Sequence, residues 1–172
     1  MKMTSEPYAI LLGHNRWANA EVLRRCERLS EEQFHRRFEV GPGSLHDTMI
    51  HVIGAIFRWS DRIGQQALRP SIAFVEGTTE RVRRTPAELL QLNVRACEGF
   101  RDVLESQRRH LAEVREWDFP DGSYRFTVSA AVIHVTNHGM HHRAQCMNML
   151  RHLGAPVNAD LDELEWQLAG EP

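Results

Sequence analysis

The chain has 172 residues, 42% of them hydrophobic and 26% charged, with a formal charge of -2 and a pI near 6.5. That length buries a proper core without a disulfide framework, and the near-neutral balance gives no electrostatic footprint for nucleic acid. Arg24, Arg25 and Arg28, like Arg36 and Arg37, therefore read as solvated faces.

No apolar run is long enough to cross a bilayer, and MKMTSEPYAI lacks the apolar stretch of a signal peptide. With no repeat and no interdomain linker, a single cytoplasmic domain over residues 1–172 is expected, with neither membrane nor nucleic acid as partner. Cys26, Cys97 and Cys146 form no CxxC pair and read as reduced packing residues. Cys146 alone, one turn beyond His142, is placed to approach a site there.

The first long helix is predicted from Pro7 to Leu29, with Ser5 as its cap and Pro7 in the first turn, where a missing donor costs nothing. Leu11, Ala18, Val22 and Leu29 make its apolar stripe, and Asn15 lies within that stripe. A buried amide without partners costs about 1–3 kcal/mol, so Asn15 reads as an inter-helix hydrogen bond or as a group lining a pocket. Ser30 to Gln33 has capping-box spacing and predicts a short helical turn. GPGS at Gly41 to Ser44 is then a loop.

The second long helix starts at Ser44 and is expected to run to about Gln66. Leu45, Val52, Ile56, Trp59 and Ile63 form one stripe, widened by Met49, Ile53 and Phe57, so the helix needs neighbours on more than one side. Leu68 to Arg84 is a polar connection, long for a compact domain and hence a surface loop or the rim of a cavity. Thr85, Pro86 and Glu88 supply cap, first-turn proline and capping-box acid. They open a third long helix expected to reach Glu113, with Leu89, Leu92, Ala96, Phe100, Val103 and Leu111 inward.

VREWDFPDGSYRFTV has two runs of β-favouring residues around Pro120-Asp121-Gly122, which predicts a small hairpin. The fourth long helix, Val128 to Leu153, ends at Gly154 and Pro156 and carries five of the ten histidines. After it, Asp160 is the expected cap of a last short helix from Leu161 to Leu168. The fold class is therefore all-α, a four-helix bundle with a hairpin between its third and fourth long helices.

Placing successive residues about 100° apart on a helix puts Val128, Val132, Val135, Gly139, Cys146, Leu150 and Leu153 on one arc of the fourth long helix. His138 and His142 lie on or beside that arc, whereas His134, His141 and His152 fall toward its polar edge. Two imidazoles one turn apart can share an ion. The third ligand must come from elsewhere; His51, flanking the second helix's stripe, is the candidate, with His46 and His14 in competition. Arg143 falls on the polar side and reads as a salt bridge, and His141 reads as exposed. Asn15, His141 and Arg143 are the candidates for orienting a substrate or for supporting the metal ligands by hydrogen bonds or proton transfer.

HNRWANAEVL, the span from His51 to Trp59 in HVIGAIFRW, and HVTNHGMHHRAQ together resemble the DinB/YfiT-like superfamily, in the right order over nearly the whole chain. The resemblance implies one divalent metal, described in relatives as zinc, nickel or another ion. It implies His51, His138 and His142 as ligands, and often a homodimer. Relatives include transferases and isomerases that use low-molecular-weight thiols. Ala144 stands between Arg143 and Gln145 where members commonly have glycine, a departure that leaves the ligands untouched.

Three imidazoles leave coordination open, as in catalytic metal sites. HExxH peptidases carry a glutamate beside the first histidine; Gly139 occupies that place here, which argues against peptidase chemistry. A thiol-dependent transferase acting on a small electrophile is the leading expectation, a hydrolase that activates water is the second, and a non-catalytic metal-stabilised dimerisation module the third. Closure of the site by Cys146 would mark the third.

Overall fold

The computed structural model describes residues 5–157 and 160–171. Residues 1–4, part of the stretch read above for a targeting signal, lie outside the described residues, as do 158, 159 and 172. In chain order the elements are α1 (Pro7–Cys26), α2 (Glu31–His35), α3 (Leu45–Ile63), α4 (Pro86–Ser106), β1 (Val114–Phe119), β2 (Gly122–Thr127), α5 (Val128–His152) and α6 (Glu163–Leu168). A 3-10 turn, Arg108–His110, follows α4.

The long helices α1, α3, α4 and α5 form the expected bundle. Helix α3 packs against α4 and α5, and α1 against the same two, so α3 and α1 stand at opposite corners. The predicted stripes meet in the middle: Val22, Met49, Ile53, Phe100 and Leu150 are fully buried. Each such side chain removed from water stabilises the fold by about 1.5–3 kcal/mol.

The helix starts follow local chemistry. Ser30 and Gln33 close a reciprocal capping box on α2, and Thr85 and Glu88 do the same on α4. Ser44 accepts from the Asp47 amide at 3.0 Å. Two caps differ from expectation. Glu6 rather than Ser5 caps α1, accepting from the Ala9 amide at 2.7 Å. Asp162 rather than Asp160 caps α6, which shortens that helix to Glu163–Leu168.

Helix ends are shorter than periodicity implied. α1 stops at Cys26, α3 at Ile63 and α4 at Ser106. Leu111 packs on the core from the turn beyond α4, not from the helix itself. An apolar residue in a following turn extends the apparent stripe, which is why the sequence pattern ran past the true end.

The hairpin pairs β1 with β2 in antiparallel register, Trp117 opposite Tyr124 and Phe119 opposite Gly122. Trp117 is buried and donates its indole N–H to the Phe126 carbonyl at 3.0 Å, stacking on Phe126 while presenting an edge to Trp59. This packing gives a two-stranded ribbon the support it lacks alone.

The connection between α3 and α4 folds back on the bundle. Arg69 chelates Asp61 through Nε at 2.8 and 3.0 Å, Ile72 packs on the core, and Phe74 pairs with Arg81 in an isolated bridge. α6 lies across α1, with Trp166 seated where Gly13 has no side chain; a Cβ there would overlap the indole ring. Among the described residues no helix is long and apolar enough to cross a membrane.

Candidate metal centre

Helix α3 supplies one imidazole and α5 two, and their ligand-capable nitrogens converge: those of His51, His138 and His142 all lie within 4.8 Å of one another. The Nε2 atoms of His51 and His138 are 2.9 Å apart, and the His142 ring centroid is 4.7 Å from that of His51 and 4.4 Å from that of His138. In a metal-free chain one of the facing Nε2 atoms must carry a proton to make that contact. A shared cation uses both lone pairs instead, so the donor set fits a metal.

The surroundings keep these rings neutral. Burial first, then the neighbouring His142 and His51, pulls His138 down to about 3. Burial also lowers His51, reinforced by His142 and by Arg58. It lowers His142 as well, against an opposing hydrogen bond from Gln145. Neutral imidazoles are the form that ligates.

Gln145 fixes the third ring. Its Oε1 lies 2.8 Å from His142 Nδ1, while its amide nitrogen donates to His141 Nε2 at 3.0 Å. With the amide so oriented, Nδ1 of His142 is the donor and Nε2 is left for a metal. Gly41, at φ +55°, lets the loop before α3 close over this amide, since a Cβ there would overlap Gln145 Oε1. The motif reading passed over Gln145 as a functional group, although its spacing of three from His142 and four from His141 was the available signal.

The competing histidines are engaged elsewhere. His46 directs Nδ1 at Asp47, 3.0 Å away, and accepts the Arg84 amide on Nε2 at 3.1 Å. His14 has Nε2 2.9 Å from the Leu161 carbonyl and Nδ1 3.3 Å from Glu163. Neither has a ring nitrogen to spare. Cys146 is fully buried with its Sγ 3.8 Å from the Met49 sulfur, and burial pushes its thiol up to about 12. It is a packing residue and does not join the histidine group.

Arg143 departs from the expected polar face: it is 3% exposed. The guanidinium donates to Asn15 Oδ1 at 2.6 Å and Asn19 Oδ1 at 3.0 Å. Asn19 in turn donates to Asn93 at 3.1 Å, and Asn93 to the Arg16 carbonyl at 3.0 Å. Burial draws the guanidinium down to about 10. Gly139 makes the approach possible: a Cβ there would overlap Asn15 Oδ1 and sit 3.0 Å from Arg143 Nη1. The wheel missed this because a neutral amide cluster on α1 and α4 can receive an arginine that polarity alone sends to solvent. Asn15 thus takes the structural role, and His141 is exposed apart from its bond to Gln145.

Two cavities flank the histidines. One, of about 250 Å³, has His51 in its wall together with Ile50, Gly54, Phe57 and Arg58 from α3 and Ile72 from the connection. The other, of about 390 Å³, lies between the hairpin and the bundle, lined by Trp59, Phe119, Tyr124, Phe126 and His134. The His134 ring links it to the centre, 5.5 Å from Trp59 and 5.7 Å from His138 between centroids.

Comparison with known proteins agrees with this architecture. The sequence model of the DinB family matches residues 2–171. Protein DinB of Bacillus subtilis (strain 168) is 26% identical over 145 residues, 84% of this chain and 84% of that protein. The crystal structure of a DinB-like protein from Bacillus cereus ATCC 10987 superposes with a TM-score of 0.66 at 19% identity, covering 93% of this chain and 99% of that one. That likeness is one of fold.

Proposed function

The chain belongs to the DinB family, and from that footing we propose that it is a divalent-metal-dependent enzyme, a thiol-dependent transferase acting on a small electrophile. The observation that carries this reading is the convergence of the His51, His138 and His142 nitrogens within 4.8 Å, with no carboxylate or thiol among the described residues in the group and a cavity against His51. His51, His138 and His142 would hold the ion, zinc or nickel in this reading. When bound, such an ion acidifies a thiol or water and so supplies a nucleophile at neutral pH.

The chain's own residues do the rest. Gln145 holds the His142 tautomer. The aromatic cavity beside His134 offers rings for the apolar body of an electrophile, and the cavity beside His51 offers a separate place for a cosubstrate. A cavity against His51, with a second one separated from His138 by the His134 ring, suits a two-substrate transfer better than hydrolysis, which needs one organic substrate and water. Cys146, against Met49, does not close the site, which speaks against a purely structural ion. A homodimer fits the outward apolar side chains Ile133 and Met140 on α5.

The deciding experiment is to load purified protein with zinc or nickel and screen small electrophiles with and without small thiols. Thiol-dependent consumption that vanishes with a chelator supports the transferase. Metal-dependent consumption without thiol supports the hydrolase, and none at all removes the enzymatic reading.

A further inference from the structure

The cavity beside His51 is basic. Arg58, Arg69 and Arg81 contribute to its wall against one carboxylate, Asp47. Two of these guanidinium groups are already committed. Arg69 is chelated by Asp61 and lies 4.6 Å over the Phe57 ring. Arg81 donates to Asp47 at 3.1 Å, and Asp47 also receives Arg37 at 2.9 Å and faces His46. Arg58 is different: it makes no hydrogen bond or ion pair with any described residue.

Its position on α3 gives that free charge a purpose. Residues 51 and 58 are seven apart, two turns, so their side chains share one helix face. Gly54 lies between them and also lines the cavity, with the Ile72 side chain packed 3.5 Å from where a Cβ would stand. Ile50, Phe57, Ile72 and Phe74 make the remaining wall apolar. Arg58 is exposed at this cavity, and an arginine without a protein partner there can grip an oxyanion through paired N–H groups.

We propose that this cavity seats an oxyanion group, carboxylate or phosphate, carried by the substrate that meets the three-histidine centre, with Arg58 as its anchor. The inference rests on the metal-centre reading for where the other end of that substrate goes; the oxyanion contact itself depends on Arg58 and the cavity alone.

The test therefore has a metal-free arm and a metal-loaded arm. In the first, glutarate and inorganic phosphate are titrated into metal-free protein while the side-chain and backbone NMR signals of Arg58 and Gly54 are followed. Saturable shifts that disappear in Arg58→Gln, survive in part in Arg58→Lys and weaken with added chloride are expected; the preferred anion identifies the group. In the second, cobalt-loaded protein is titrated with mercaptocarboxylates of increasing chain length, each beside the alcohol of the same length, and thiolate-to-cobalt absorption is read. The best acid should bind at least about tenfold tighter than its alcohol, and Arg58→Gln should abolish that difference. Absence of Arg58-dependent shifts in the first arm overturns the proposal whether or not metal binds. If shifts are present but no thiol absorption develops with cobalt, the oxyanion site stands and the metal-centre reading fails.

Discussion

His142 Nδ1 and Gln145 Oε1 lie 2.8 Å apart, one turn along α5, with the Gln145 amide held in turn on His141. This contact decides which nitrogen of His142 faces the centre. Groups that orient a ligating histidine are typically worth roughly 10- to 100-fold in metal affinity. Gln145→Ala is expected to weaken zinc binding within that range in a competition titration with a chromophoric chelator, while far-UV circular dichroism stays unchanged. Unaltered affinity would show that His142 needs no such guide.

Removing a ligand should do more than removing a neighbour. His138→Ala is expected to abolish stoichiometric metal binding by elemental analysis. His134→Ala should retain about one ion per chain, because its ring contacts His138 and Trp59 but is outside the converging group. Equal loss in both variants would contradict the assignment of ligands.

Gly139 has no room for a methyl group, since a Cβ would overlap Asn15 Oδ1 and crowd Arg143. Overpacking of this kind costs about 1–3 kcal/mol, against a helix-propensity gain of up to about 1 kcal/mol for alanine over glycine. Gly139→Ala should therefore lower the urea midpoint without changing the slope. The cost of Gly139→Ala should be smaller in an Asn15→Gly background than in the wild type, which a general helix effect would not produce.

His46 predicts a pH dependence independent of metal. Burial lowers its pKa from the ordinary imidazole value, outweighing the opposing pull of Asp47, and its Nε2 must stay unprotonated to accept the Arg84 amide. As pH falls through about 6.5, the unfolded chain takes up a proton that the native chain refuses. Stability therefore declines between that value and the lower native one, by at most about 1.4 kcal/mol per pH unit from this group. His46→Asn keeps an acceptor but cannot titrate, so its urea midpoint should fall less than wild type between pH 7.5 and 5.0. Parallel curves would assign the acid sensitivity elsewhere.

The bundle was legible in the sequence because burial of apolar residues at helical spacing fixes it: of the stripe named on α3, Leu45, Met49, Val52, Ile53, Ile56 and Ile63 are buried, while Phe57 and Trp59 pack on the core only partly buried. Capping boxes at Ser30 and Thr85 were equally plain, since both partners are local. His138 and His142 were selected by periodicity alone. His51 was one of three candidates until family resemblance chose it, because which ring of α3 faces α5 depends on the angle between two helices.

Arg143 was misplaced for a related reason. Its partners Asn15 and Asn19 sit more than a hundred residues away, and no single-helix wheel contains them. Arg58 and Gly54 gave no signal because a cavity is made by what lies across from a helix, here the connection that returns over α3. Helix ends were overrun where turn residues such as Leu111 continue the apolar pattern.

That returning connection is fastened at two points of unlike character. At one clasp Arg69 and Asp61 are 42% and 6% exposed, whereas at the other Arg81 and Asp47 are 60% and 17% exposed. Dissolved electrolyte screens the second more than the first. Rising ionic strength should thus slacken the flap at its Arg81 end while the Arg69 end stays pinned, so entry to the His51 recess becomes easier in brine although the hydrophobic bundle beneath is unaffected.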